Sequence, residues 1–426
     1  MSSDYTEMWR DLGLDIDAHN ALLNALGEGY QQVFLSQKNR PAGMQYFDFV
    51  MSEVHGLRIK ELIDAKAEGR IIVGSFCVFV PEELILAVDG ISVGLCTGAD
   101  FGMDLAEKYL PRNTCSLIKS AFGFKLSKVC PYMESSDIIV GENTCDGKKK
   151  AYEEFGKLEK KLYVMDLPQT KSDSGKALLR AEYKKFIQAL EEKSGRKITV
   201  ESLKKAISIV NNKRKAIHRL AQLRAADPIP ISGLDALLIN QVYFYDNPLR
   251  FTESVNKICD ELEERIARSE GVFPKGTPRL LVSGCPMAVP NWKLPFIIEQ
   301  SGATIVGEES CVGERGTRNE TDLTGSSVDE LLDNIVERYF QIDCAIFTPN
   351  PDRKNHVKEM HKKYNADGVI HYALQFCQPY DIESHGIEEV LESEGIPVLN
   401  LVTDYSQEDV GQLSTRIEAF IERING

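Results

Sequence analysis

Ten cysteines are spread through the 426 residues: Cys77, Cys96, Cys115, Cys130, Cys145, Cys259, Cys285, Cys311, Cys344 and Cys377. No two lie closer than the 15 positions separating Cys115, Cys130 and Cys145. There is no C-x-x-C, so zinc ribbons, zinc fingers and ferredoxin-type runs are excluded by spacing. Thiols this far apart can act together only if the fold gathers the loops that carry them. Soft thiolates favour iron–sulfur clusters or zinc, and so many donors exceed the needs of one tetrahedral zinc.

The elements that would gather them read as alternating strands and helices. In the C-terminal half the predicted strands are 279–283 (RLLVS), 304–307 (TIVG), 344–348 (CAIFT), 368–372 (GVIHY) and 397–402 (PVLNLV). Helical patterns lie near 291–301, 326–341, 352–365, 384–395 and 408–424. Such β-α repeats imply a parallel sheet covered on both faces, with every strand's C-terminal end on one edge. In the N-terminal half, strands are predicted at 70–76 (RIIVGSF), 91–95 (ISVGL), 137–141 (DIIVG) and 162–166 (LYVMD), with a helix at 81–88. The expected fold class is α/β, with two doubly wound Rossmann- or flavodoxin-like parallel-sheet domains. The expected organisation is a helical N-terminal region at 1–66 and a first α/β domain at 67–226 with a helical excursion at 173–225. A helical connection at 227–276 and a second α/β domain at 277–426 follow.

On this frame Cys77, Cys96, Cys145, Cys285, Cys311 and Cys377 follow strands, at the edge where such sheets bind ligands. Cys115 opens a helix and can join them. Cys259 has a core-facing helical spacing. Cys344 begins its predicted strand, on the opposite edge, and Cys130 precedes one; all three read as small buried hydrophobes. A lone nucleophilic cysteine would need a base. His371 is the only histidine near these loops, and its place inside a strand suits a core or supporting role.

Other motifs narrow the chemistry. There is no G-x-G-x-x-G, Walker loop or H-E-x-x-H, and the SDSGKA at 172–177 lacks the Walker spacing. The loop at 311–319 (CVGERGTRN) carries Arg315 and Arg318 beside glycines and reads equally as an anion site or a solvated loop. Lys148, Lys149 and Lys150 read as a solvated helix face, with docking of an acidic electron donor as the alternative.

The net charge of -14 argues against a nucleic-acid partner, which calls for a basic face. The first residues lack a signal-peptide pattern, and no apolar run reaches the roughly 20 residues of a membrane span. A cytoplasmic location with reduced thiols is expected.

Several long segments carry a resemblance. They are GSFCVFVPEEL (74–84), LPRNTCSLIKSAFG (110–123), DIIVGENTCDGKKKAYE (137–153), VSGCPM (282–287), EESCVGERG (308–316) and QFCQPYDIES (375–384). Together they resemble the 2-hydroxyacyl-CoA dehydratase and benzoyl-CoA reductase superfamily, over the chain from about residue 60 to its end. The tail TDYSQEDVGQLSTRIEAFIE (403–422) and the cysteine count are most similar to its double-cubane cluster branch. The resemblance implies a [4Fe–4S] cubane on Cys115, Cys145 and Cys377, and a second, sulfide-bridged cubane on Cys77, Cys285 and Cys311, with Cys96 in reserve. It further implies a homodimer fed electrons by a separate iron–sulfur ATPase, the activator, and reducing a small-molecule substrate at very low potential. The alternative is a 2-hydroxyacyl-CoA dehydratase subunit with one cubane. A third reading is an electron-storage or cluster-assembly protein without a substrate of its own. Amides of Gly141, Gly284 and Gly313 are expected near cluster sulfurs.

Overall fold

A computed structural model describes residues 4–426. Its eight strands form two four-stranded sheets in which every neighbouring pair is parallel. The first sheet holds β1 (Ile72–Ser75), β2 (Ile91–Gly94), β3 (Ile138–Glu142) and β4 (Leu162–Met165), in the order β2-β1-β3-β4. The second holds β5 (Arg279–Gly284), β6 (Thr304–Glu309), β7 (Gly368–Leu374) and β8 (Val398–Thr403), in the order β6-β5-β7-β8. The apolar, β-branched runs of β3, β5 and β7 are buried along their whole length, as strands covered by helices on both faces must be.

The two sheets repeat one winding. In each, the chain lays its second strand on one side of the first and its third on the other. Loops therefore part between β1 and β3, where Ser75 pairs with Val140, and between β5 and β7, where Gly284 pairs with Tyr372. Such a reversal opens a crevice beyond the strands' carboxyl ends.

One expected strand does not form. Residues 344–348 turn instead, with the Phe347 N–H bonded to the Cys344 carbonyl at 3.1 Å. The outer edge of β6 is where a fifth strand would add, and side chains already occupy it. Arg224 Nη2 donates to the Ile305 carbonyl at 2.8 Å, and Glu299 Oε1 accepts from the Ile305 N–H at 3.5 Å. Pro349 and Pro351, close behind, offer no N–H to a ladder.

Helices fill the remainder. Thr6–Asp11, Ile16–Tyr30, Met44–Ser52 and Leu57–Ala67 make the N-terminal region helical. Asp173–Ser194 and Val200–Leu223 form the helical excursion. Ser172 Oγ caps the first of these by accepting from the Gly175 N–H at 3.2 Å, so the SDSGKA segment is a helix start. In Pro248–Ala267 the buried Phe251, Val255, Ile258, Cys259 and Leu262 share one face, which keeps Cys259 in the core. Among the described residues no helix is long and apolar enough to cross a membrane.

Buried ion pairs tie the excursion to the helix Glu82–Ala87 and to β6. Arg214 meets Glu83 at 2.8 Å, and Arg224 grips Glu308 with two 2.6 Å bonds. Removing one partner leaves a buried charge alone. Arg224→Met should cost about 3–5 kcal/mol in urea unfolding, and adding Glu308→Leu should recover most of it.

The N-terminal helices carry a second strain on charge. His19 Nε2 and His55 Nδ1 lie 3.0 Å apart, and Trp9 donates to the His55 carbonyl at 2.6 Å. Burial lowers His19 to about 4. Burial, then the nearby His19, lowers His55 to about 3. The unfolded chain takes up these protons below about pH 6.5 and the folded chain does not. Stability should therefore fall as pH drops from about 6.5 to 4, and the slope, read by denaturation at each pH, should flatten in His19→Asn.

Candidate functional site

The carboxyl ends of both sheets face one chamber. It has a volume of about 110 Å³ and is lined by eight cysteines: Cys77, Cys96, Cys115, Cys145, Cys285, Cys311, Cys344 and Cys377. The other wall residues are mostly apolar, including Phe76, Ile118, Val289 and Leu374. Lys148 is the one charged side chain in the wall among the described residues.

The switch points explain how the thiols arrive. Cys77 and Cys145 follow β1 and β3, the strands flanking the first crevice. Cys285 and Cys377 follow β5 and β7, flanking the second. Cys311 leaves β6, and Cys115 stands before the helix Ser116–Leu126, whose first N–H bonds the Gln375 carbonyl at 3.4 Å. That bond joins the loop of Cys115 to the loop of Cys377 across the two sheets.

Two backbone features seat these thiols. Gly284 has φ +136°, and a Cβ there would sit 1.9 Å from the Tyr372 carbonyl oxygen. Only glycine lets the chain turn so closely, after which the Cys285 N–H bonds that same carbonyl at 2.9 Å. Phe376, immediately before Cys377, is held at φ +67°, a strained conformation for a bulky residue. Gly141, expected near the chamber, lies inside β3 against the Tyr152 ring.

The thiols fall into two contacting sets. Cys377 hydrogen-bonds with both Cys115 and Cys285. Cys77 hydrogen-bonds with Cys311. Cys285 Sγ also accepts from the Leu374 N–H at 3.3 Å, and Cys145 Sγ from the Lys148 N–H at 3.5 Å. The Cys96 thiol instead donates to the Phe76 carbonyl at 2.7 Å, which suits a protonated group.

Their acidities record how poorly the apolar wall tolerates charge. Its hydrogen bond to Cys311, then burial, raises Cys77. Cys377, then burial, raises Cys115. At Cys377 the bond from Cys115 pulls downward but is outweighed by Cys285 and burial. Burial pushes Cys96 up to about 12. Cys311 alone is held well below the usual thiol range, by the hydrogen bond from Cys77 and, against the cost of burial, by the Arg315 guanidinium. Beside the chamber, burial raises Glu142 to about 7, opposed by Lys148, whose Nζ is 3.8 Å away.

Three expectations are revised. Cys344 lies in the chamber wall, with Sγ 3.4 Å from the Tyr380 hydroxyl, because its segment turns instead of joining the sheet. The run Pro349-Asn350-Pro351 is a breaker signal that marks this. Lys148 faces the chamber, while Lys149 and Lys150 are exposed. Arg315 is buried and paired with Glu309 at 2.7 Å, so the 311–319 loop neither lies open to solvent nor leaves that guanidinium free for an anion. Cys130 and Cys259 are buried away from the chamber, and His371 is buried with Nε2 3.0 Å from the Tyr380 carbonyl.

Among the described residues no three His, Cys, Asp or Glu side chains converge on a single-ion site. The thiols stand around a space, not on a point. That arrangement, with thiols crowded in an apolar wall, fits a polynuclear cationic group better than one ion.

Two parallel sheets whose cysteine-bearing loops close on one apolar chamber define a thiol-site α/β protein. The family described as 2-hydroxyglutaryl-CoA dehydratase, D-component, matches residues 77–424, and the chain belongs to it. It is 37% identical over 380 residues to an Escherichia coli (strain K12) protein provisionally named dehydratase subunit YjiM, covering 88% of this chain and 96% of that one. It is 27% identical over 360 residues to the (R)-phenyllactyl-CoA dehydratase beta subunit of Clostridium sporogenes, covering 84% and 92%. It is 23% identical over 336 residues to a benzoyl-CoA reductase subunit of Thauera aromatica, covering 78% and 85%.

In the metal-free chain, Cys311 should be the first chamber thiol alkylated by iodoacetamide at pH 7. Labelling of Cys96 should still be climbing at pH 9. Peptide mass spectrometry reads both, and equal rates at pH 7 would contradict the assigned acidities.

Proposed function

We propose that this chain is an iron–sulfur reductase of small molecules whose chamber carries two linked [4Fe–4S] cubanes. The observation that carries this reading is the eight-cysteine wall, which holds more thiols than one cubane needs. The ligands proposed remain Cys77, Cys115, Cys145, Cys285, Cys311 and Cys377. The thiol contacts favour a regrouping: Cys115, Cys285 and Cys377 hold one cubane, and Cys77, Cys145 and Cys311 hold the other. Cys145 is preferred over Cys96 and Cys344 because its sulfur accepts an N–H. Cys96 donates to a carbonyl, and Cys344 pairs with the Tyr380 hydroxyl.

The bound group supplies electrons at low potential, tuned by its surroundings. The chain does the rest. Its apolar wall keeps water from the thiolates, and Lys148 offsets their charge. Backbone N–H groups of Leu374 and Lys148 donate to Cys285 and Cys145. We place the chamber between two α/β domains, at 67–226 and 277–426, in a cytoplasmic homodimer. Its electrons come from a separate ATP-hydrolysing iron–sulfur activator. The relatives named as dehydratase and reductase subunits support an enzyme that works with partner proteins. They also favour a second reading, a dehydratase subunit with one cubane and an acyl-CoA substrate.

Strictly anaerobic protein should contain two cubanes' worth of iron and acid-labile sulfide per chain. Alanine at Cys77, Cys115, Cys145, Cys285, Cys311 or Cys377 should each lose about half or more of the iron, while Cys96→Ala, Cys344→Ala and Cys259→Ala keep it. Turnover of a reducible small molecule should require reductant, ATP and activator. One cubane's worth of iron in the unaltered protein, with turnover of acyl-CoA, would establish the second reading.

A further inference from the structure

The two thiol sets stand in different electrostatic surroundings. Arg315 is 1% exposed, and its Nη1 lies 3.7 Å from Cys311 Sγ. Its position is fixed from several sides. Nε and Nη2 donate to Glu309 Oε1 and Oε2 at 2.7 and 2.9 Å. Nη2 also donates to the carbonyls of Gly284 at 3.1 Å and Glu309 at 3.0 Å, and Nη1 meets the Tyr380 hydroxyl. Glu309 is shared with Arg353, whose Nε is 3.0 Å from it, so Arg315 does not hold that carboxylate alone. Lys148 adds positive charge near Cys77 and Cys96. By contrast, the strongest neighbours of Cys115 and Cys377 are one another, Cys285, and backbone N–H groups of Leu117, Ile118 and Tyr380.

We propose that Arg315 makes the two halves of the centre unequal, so that an added electron rests on the half held by Cys77, Cys145 and Cys311. This rests on the two-cubane reading above. A guanidinium donating to a cysteine sulfur stabilises the extra negative charge of reduction through a charge-assisted hydrogen bond. Hydrogen bonds to the sulfurs and local charge set the reduction potential of such groups. Arg315 therefore raises the potential of its own half. The step it directs is the passage of one electron between halves, with no bond made or broken. The electron comes from a low-potential one-electron donor, the activator in the cell or titanium(III) in the test. Arg315 is a positioning residue in this role, acting on Cys311 and not on substrate.

The test is an EPR-monitored redox titration with titanium(III) on anaerobic protein, with iron counted in every sample. The unaltered chain should show two one-electron steps. In Arg315→Gln the higher step should fall by a tenfold shift in the oxidised-to-reduced ratio, about 59 mV, while the lower step stays in place. Arg315→Lys keeps a cation beside Glu309 but cannot span Glu309 and Cys311 together, so the same step should fall by less. If Arg315→Gln does not fold, Arg315→Lys decides alone. Full iron with an unmoved higher step, or both steps moving equally, overturns the proposal, because a merely structural Glu309 partner would leave the difference between halves unchanged. A single cubane's worth of iron in the unaltered chain would sink the two-cubane reading instead.

Discussion

Negative charge in an apolar enclosure is the constraint on which this structure turns. Eight thiols share a chamber with one charged wall residue, Lys148, and most of those whose acidity is shifted are driven above the ordinary thiol range by one another and by burial. A charge left unpaired in such surroundings is costly. Elsewhere the fold meets that cost with paired residues, such as Arg214 with Glu83 and Arg224 with Glu308. At the chamber, among the described residues, only Cys311 has a buried cation bonded to its sulfur. A cationic iron–sulfur group would neutralise the remaining thiolates, and binding it would be linked to proton release.

The paired sheets make this concentration of thiols possible. Each has the same strand order, so each opens a crevice between its first and third strands. Cysteines in the loops after the flanking strands enter from both, and the bond from the Ser116 N–H to Gln375 brings the edges together. One sheet alone would offer too few donors for two cubanes. Around the chamber the two thiol sets have different neighbours, with Arg315 against Cys311 and the Leu374 N–H against Cys285.

Much of this was legible in the sequence. Placement at a strand's end is a local property, so Cys77, Cys145, Cys285, Cys311 and Cys377 could be set on the functional edge from periodicity alone. Six of the eight chamber thiols were placed this way, Cys96 among them, and Cys115 was added because it opens a helix. The grouping of the thiols was not legible, because contacts such as Cys285 with Cys377 depend on how non-adjacent loops meet. Cys344 was hidden by an apolar run that has strand character but finds the β6 edge already occupied by Arg224 and Glu299. Arg315 read equally as part of an anion site or of a solvated loop, and Lys148 as part of a solvated helix face, because their buried partners, Glu309 and Glu142, sit at the ends of the preceding strands β6 and β3.

The most direct measurement is an anomalous difference map collected at the iron edge from crystals grown without oxygen. Two four-iron features in the chamber are expected, one against Cys115, Cys285 and Cys377 and the other against Cys77, Cys145 and Cys311. A single four-iron feature, or iron bound away from the chamber, would contradict the two-cubane centre.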